Sequence, residues 1–258
     1  MNFFGTLING VLYNKEKNEV VVTKAIFPQK KCVIESTIDE LPITVINPKA
    51  FKNSSVKEVV IPETVKNIFN DTFMNCKNLK SVFLSKQLET IWGRSFAECK
   101  NLENINLEGV KKIGNAAFYG CISLEYAFLN SVYCIDAGGF NECARLQTVV
   151  IGDDCTRIDS GAFRNCKQLK TVVLSKNIDN ICGIFGKIYG KLDPVRDNPF
   201  AGCDNLKYLL YHGTQNEIKE HVRDFWVDAC KMNIYYYSTE PKKGTWRYDE
   251  GKIIVTHA

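Results

Sequence analysis

Long apolar runs are missing from this 258-residue sequence, and no stretch approaches the roughly 20 residues that a membrane-spanning helix needs. Charge of one sign is missing as well. The 33 basic side chains stand against 29 acidic ones, for a net charge of +4, and no run of Lys or Arg could track a phosphate backbone. Nucleic acid is therefore not implied as a partner. Histidine is scarce, with only His212, His221 and His257, all near the C-terminus. No cysteine pair has the C-x-x-C spacing of a zinc or redox site. No phosphate loop, H-E-x-x-H or G-x-S-x-G occurs. Asp and Glu are scattered, and nothing gathers them into an acid–base pair. These absences point away from an enzyme and imply no catalytic residues, no metal and no cofactor. The segment from Met1 to Leu12 lacks the charged, apolar and small-residue succession of an export signal.

What is present is an ordinary globular composition, 45% hydrophobic and 24% charged, with eleven cysteines whose positions are not random. Phenylalanine supplies a register at Phe51, Phe73, Phe96, Phe118, Phe140, Phe163 and Phe200, with gaps of 22, 23, 22, 22, 23 and 37 residues. Three residues after each Phe but the first stands a cysteine: Cys76, Cys99, Cys121, Cys143, Cys166 and Cys203. Leucine follows three further on, from Leu79 to Leu206, and then an L-x-x-V-x-L spacing closes the unit. Isoleucine precedes most of the Phe residues by five, at Ile46, Ile68, Ile91, Ile113, Ile135 and Ile158. Such periodicity is the signature of a stacked repeat.

Each unit sends the same side chains inward. The L-x-x-V-x-L segment alternates at period two, which is strand behaviour, and stacking pairs these strands in parallel about 4.8 Å apart. The I-x-x-x-[AST]-F half is too short for a regular helix and is expected to form turns and short 3₁₀ pieces. One unit cannot close a core, so stability must come from neighbours. Segments such as VKNIFNDTFMNCKNLKSVFL and VKKIGNAAFYGCISLEYAFL resemble BspA-type leucine-rich repeats, over roughly residues 41 to 212, and NGVLYNKEKNEVVV resembles the degenerate first unit common in that family. The resemblance implies an α/β-type solenoid of about seven turns of 22–23 residues, with a parallel sheet on one face and caps at both ends. For function it implies protein binding or adhesion, often at microbial cell surfaces. The unpaired cysteines and missing signal suggest the cytoplasm instead.

Residues 1–40 read as an N-terminal cap, with Asn9-Gly10 at one turn and Lys17-Asn18 joining a hairpin. The 37-residue gap holds an insertion near 182–196, whose Gly183, Gly186 and Gly190 suggest a loop or small hairpin, functional or merely tolerated. Residues 213–258 read as a C-terminal cap. Thr214 and Glu217 suggest a capping box, apolar residues from Ile218 to Ala229 fall at helical spacing, and TWRYDEGKIIVT suggests a hairpin.

Two columns bear on function. The cysteine column lies between inward Phe and inward Leu, so small buried fillers are the expected role, with bridges or a metal as the alternatives. Cys32, Cys134, Cys155, Cys182 and Cys230 share no register, and Cys182 is the expected exposed thiol. The outward column of the strands reads Val60, Phe83, Asn106, Phe128, Val150, Val173 and Leu210, and the column two residues earlier includes Tyr126 and Tyr208. An apolar, aromatic outer face predicts a ligand-binding surface made by Phe83, Asn106, Tyr126, Phe128, Val150, Tyr208 and Leu210. A protein partner is expected. The same face could join two copies as a homodimer, stack on a glycan through Tyr126, Phe128 and Tyr208, or serve only as a strand-stabilising ladder.

Overall fold

The computed structural model describes residues 5–26, 28–181, 197–225, 232–240, 242–250 and 252–256. Strands β1 (Thr6–Ile8), β2 (Val11–Lys15) and β3 (Val20–Ala25) form an antiparallel meander that covers the N-terminal end. Asn9 and Gly10 turn the first connection with positive φ of 49° and 79°, the geometry a two-residue hairpin requires. β4 (Lys31–Val33), β5 (Thr37–Ile38) and β6 (Leu41–Ile46) complete the first coil. Each further coil contributes two short strands. They are β7 (Glu58–Val60) with β8 (Asn67–Ile68), and β9 (Ser81–Phe83) with β10 (Thr90–Ile91). β11 (Asn104–Ile105) and β12 (Lys112–Ile113) follow, then β13 (Tyr126–Leu129) and β14 (Cys134–Ile135). β15 (Thr148–Ile151), β16 (Arg157–Ile158), β17 (Thr171–Leu174), β18 (Asn180–Ile181) and β19 (Tyr208–Tyr211) complete the stack.

From β7 to β19, odd- and even-numbered strands form two opposite walls. The L-x-x-V-x-L segments build one wall, and the isoleucine column builds the other. Eight strands run parallel in the isoleucine wall, from β3 through β6 and β8 to β18. The molecule is therefore a β-solenoid of about eight turns, with almost no helix among the described residues. The expected solenoid with a parallel sheet and turns in place of helix is what the structure shows: the segment from Ile to Phe bonds its backbone to the next coil, as at Phe73 N–H to the Ser95 carbonyl, instead of closing a helical turn. The first coil includes β4, within the N-terminal 40 residues. Cys32 pairs with Val59 in register, so this cysteine, expected to lie outside any column, fills the valine column of the first coil.

The core explains the columns. Phe51, Phe73, Phe96, Phe118, Phe140, Phe163 and Phe200 stack in one file with centroids 4.9–5.3 Å apart, and the first six are fully buried. Offset stacking adds about 0.5–1.5 kcal/mol per pair beyond burial. The nine described cysteines are free, and each thiol of the column donates to the carbonyl of the Phe one coil earlier, at 2.9–3.2 Å. A small apolar filler that also satisfies a buried carbonyl explains why cysteine rather than alanine holds this position. Each coil turns sharply on either side of its Phe. Two residues before it and two after it the backbone is left-handed, at Arg94 and Glu98 or Ala116 and Gly120, for example.

The valine wall is interrupted between β11 and β13, leaving a four-stranded and a seven-stranded sheet. Asn104 and Asn106 sit at the break, and Asn106 Oδ1 accepts the Glu108 amide. Asparagine competes for backbone groups in this way and disfavours a ladder. At the C-terminal end, Thr214 donates from its amide and hydroxyl to Glu217, and the helix α1 (Glu220–Asp224) follows two residues later. Ile218, Val222 and Phe225 close the core. The chain then adds β20 (Ile234–Tyr237) parallel to β19, followed by the hairpin β21 (Thr245–Asp249) and β22 (Lys252–Thr256). The insertion at 182–196 and Cys182 lie outside the described residues, as do Cys230 and the helical pattern beyond Phe225.

Candidate recognition face

Strand parity sets the outer face of the valine wall. Val82, Ala127, Val149 and Val172 point inward and are buried, so the residues after them point outward. Phe83 and Phe128 are 54% and 56% exposed, and Tyr126 is 46% exposed. Tyr126 and Phe128 stack at 6.3 Å, with rings 9° from parallel. Phe83 stands two coils away, about 10 Å at the usual strand spacing. Asn106 lies between them, exposed, with its Oδ1 engaged in its own turn. Val150 is half-buried at the margin of this patch.

Leu210 does not belong to an exposed face, and that expectation is corrected. It is fully buried with Val173 beneath Trp246, and Val150, Tyr208, Tyr235, Tyr237, Ile253 and Val255 pack around them. The C-terminal hairpin folds back over the outer face, so its last two coils are covered by the chain itself. Trp246 Nε1 donates to the Tyr211 carbonyl at 2.8 Å and locks the hairpin in place. Tyr208 is half-buried, meets Tyr235 edge-on at 5.9 Å, and lies three strands from Tyr126. It shares no platform with Tyr126 and Phe128. Sequence reasoning placed this hairpin only at the open end of the stack. The signal for its true position was the row itself, where Val173 and Leu210 continue as aliphatics with no polar residue between them.

His212 takes part in the same closure. Its Nδ1 lies 3.0 Å from Asp153 Oδ1, and its ring packs against Trp246 and Tyr237. Burial alone raises the Asp153 carboxyl, but the hydrogen bonds with His212 and the Lys176 amide outweigh it and hold it below the usual range. The pair clamps the hairpin edge to the solenoid. Among the described residues, no three His, Cys, Asp or Glu side chains are gathered as metal ligands, and no helix is long and apolar enough to cross a membrane.

The isoleucine wall has its own outer face, which sequence reasoning left unread. It carries Phe69 stacked with Trp92 at 6.4 Å, then a charged ladder in which Asp136 bridges Lys112 at 3.3 Å and Arg157 at 2.5 Å. Asp71 holds Arg94 through two bonds of 2.8 and 3.2 Å. Opposite charges thus meet between successive coils along this face.

A family model for the BspA type leucine rich repeat region matches residues 108–185, with six copies. No curated protein matches the chain. A leucine-rich repeat protein of T. pallidum has a similar structure, with 21% identity over 90% of this chain and 98% of its own, at a TM-score of 0.54. One from Bacteroides ovatus is 20% identical over 81% of this chain and 71% of its own, at a TM-score of 0.44. A leucine rich cell surface protein of Faecalibacterium prausnitzii is 15% identical over 93% and 96%, at a TM-score of 0.36. The T. pallidum likeness bears on the fold. The family model assigns residues 108–185 to BspA-type leucine-rich repeats, and the Phe, Cys and Leu columns carry the same spacing on either side of that segment.

Proposed function

We propose that this chain is a non-catalytic recognition module that binds a protein partner through the uncovered middle of its outer face, at Phe83, Tyr126 and Phe128. One observation carries the reading. The same outward row that exposes Phe83 and Phe128 is covered further along by the chain's own hairpin, through Val173, Leu210 and Trp246. A face that already accepts an apolar β-structure at one end presents matching chemistry, uncovered, in its middle. Aromatic anchors in such patches dominate binding, each losing about 2 kcal/mol or more on truncation. Changing Phe83 and Phe128 together to Ser is expected to abolish capture of partners from native-host extracts. The thermal unfolding temperature should stay within a few degrees of the parent. Unchanged capture by this folded variant would move the site off the face. A parent dimer that becomes a monomer in light scattering would assign the face to self-association.

A further inference from the structure

Among the described residues, β22 is the last strand of its sheet and is hydrogen-bonded on one side only, to β21. Asp249 and Lys252 face each other across a two-residue connection. The pair that closes such a hairpin exchanges both backbone bonds. Lys252, Ile254 and Thr256 therefore turn their backbone groups toward β21. Those of Ile253 and Val255 point to the free edge, while their side chains pack inward against Trp246 and its neighbours. Edge strands are usually protected by a central charge, a proline or a bulge. The run Lys252–Thr256 has a single charge at its start, then two isoleucines and a valine.

A cleft of about 340 Å³ follows this edge, lined by Ile253, Ile254 and Val255, with Thr171 and Tyr208 opposite. Successive strand side chains point to opposite faces. Three consecutive residues of β22 can line one cleft only along the strand's edge. Thr171 and Tyr208 are register partners, and their row continues through Thr148 to Tyr126. The hairpin thus covers the row Leu210, Val173 and Val150, while its unpaired edge borders the next row and leads to the exposed aromatic patch.

The geometry points to β22 as a strand-addition site, where an extended peptide segment of the partner joins the sheet as its next strand. Its backbone bonds Ile253 and Val255, and uncharged side chains at alternate positions face the Tyr208–Thr171–Thr148–Tyr126 row. This deepens the recognition reading above and rests on it. The occupant is a single extended chain rather than a second copy. In a second copy the β22 edge is flanked by that copy's own Thr171 and Tyr208, so two edges meeting would force two solenoid faces into one slot.

A labelled nine-residue peptide of alternating valine and threonine tests this, beside the same peptide N-methylated at every second residue. With the full chain, the first peptide is expected to bind in fluorescence anisotropy, and the methylated one at least tenfold more weakly. Native-state exchange of the Ile253 and Val255 amides should slow at least tenfold on binding. Val255→Pro, tolerated because its N–H faces no strand, should weaken binding to the same degree. Absence of peptide binding, equal binding of the methylated peptide or unchanged amide exchange would overturn strand addition. So would peptide-independent dimers that Val255→Pro dissociates, which would give the edge to a second copy. If the edge proves inert while the Phe83 and Phe128 double change still abolishes partner capture, the recognition face stands and only strand addition falls.

Discussion

Phe118 and Phe128 are ten residues apart in one coil and differ in direction rather than chemistry. Phe118 lies in the ring file between Phe96 and Phe140, fully buried, while Phe128 is 56% exposed on the outer wall. Removing the Phe118 ring leaves a cavity in a file of rings on both sides, so Phe118→Ala is expected to destabilise by about 3–5 kcal/mol. Phe128→Ser removes a ring already in water and should cost well under half as much. Denaturant unfolding of the two variants checks this. Equal losses would mean a strand register wrong by one residue, which exchanges the two faces. The same parity argument placed Leu210 outside, and its direction was right. What covers Leu210 comes from residues 36 and more further along the chain, where no repeat constrains the sequence.

The repeat was legible because each strand, turn and ring column obeys one period, so six copies report the same packing. The isoleucine wall was missed as a sheet because its strands are two residues long, too short for alternation to show. Asn106 lay in the outward row as expected, but its Oδ1 serves a turn at the point where the wall is interrupted. The C-terminal hairpin was legible as a hairpin from its alternating apolar residues, while its docking was not. That docking rests on one long-range anchor, since Trp246 is 1% exposed and bonded to the Tyr211 carbonyl. Trp246→Ala is therefore expected to free β21 and β22 while the Phe file stays intact. Hydrogen exchange should lose protection across 245–256 and keep it in β13, β15 and β17. Loss of protection in both would mean that the hairpin and the solenoid unfold as one cooperative unit.

At the scale of the whole molecule, the cysteine column makes the solenoid sensitive to base. Burial pushes the thiols of Cys99, Cys121, Cys143 and Cys166 in the column above their ordinary range, and that of Cys155, outside it, to about 12. A group whose pKa is raised on folding contributes stability that is fully present below its unfolded pKa. That stability is lost as the pH rises toward the folded value. The window therefore opens near the ordinary thiol pKa of about 8.5, and for Cys155 it closes at about 12. Within it each such thiol removes about 1.4 kcal/mol of stability per pH unit. The five shifts have the same sign, so their losses act together as the pH rises. Far-ultraviolet circular dichroism should show cooperative unfolding within about one to two pH units above 9, with thiolate absorption appearing in the same step. Below that step no more than two of the eleven cysteines should react with a thiol reagent, because the nine described are all buried. After denaturation all eleven should react. Thiolates that titrate one by one while the fold persists, or bridges between members of the column, would contradict the buried thiol ladder on which this base sensitivity depends.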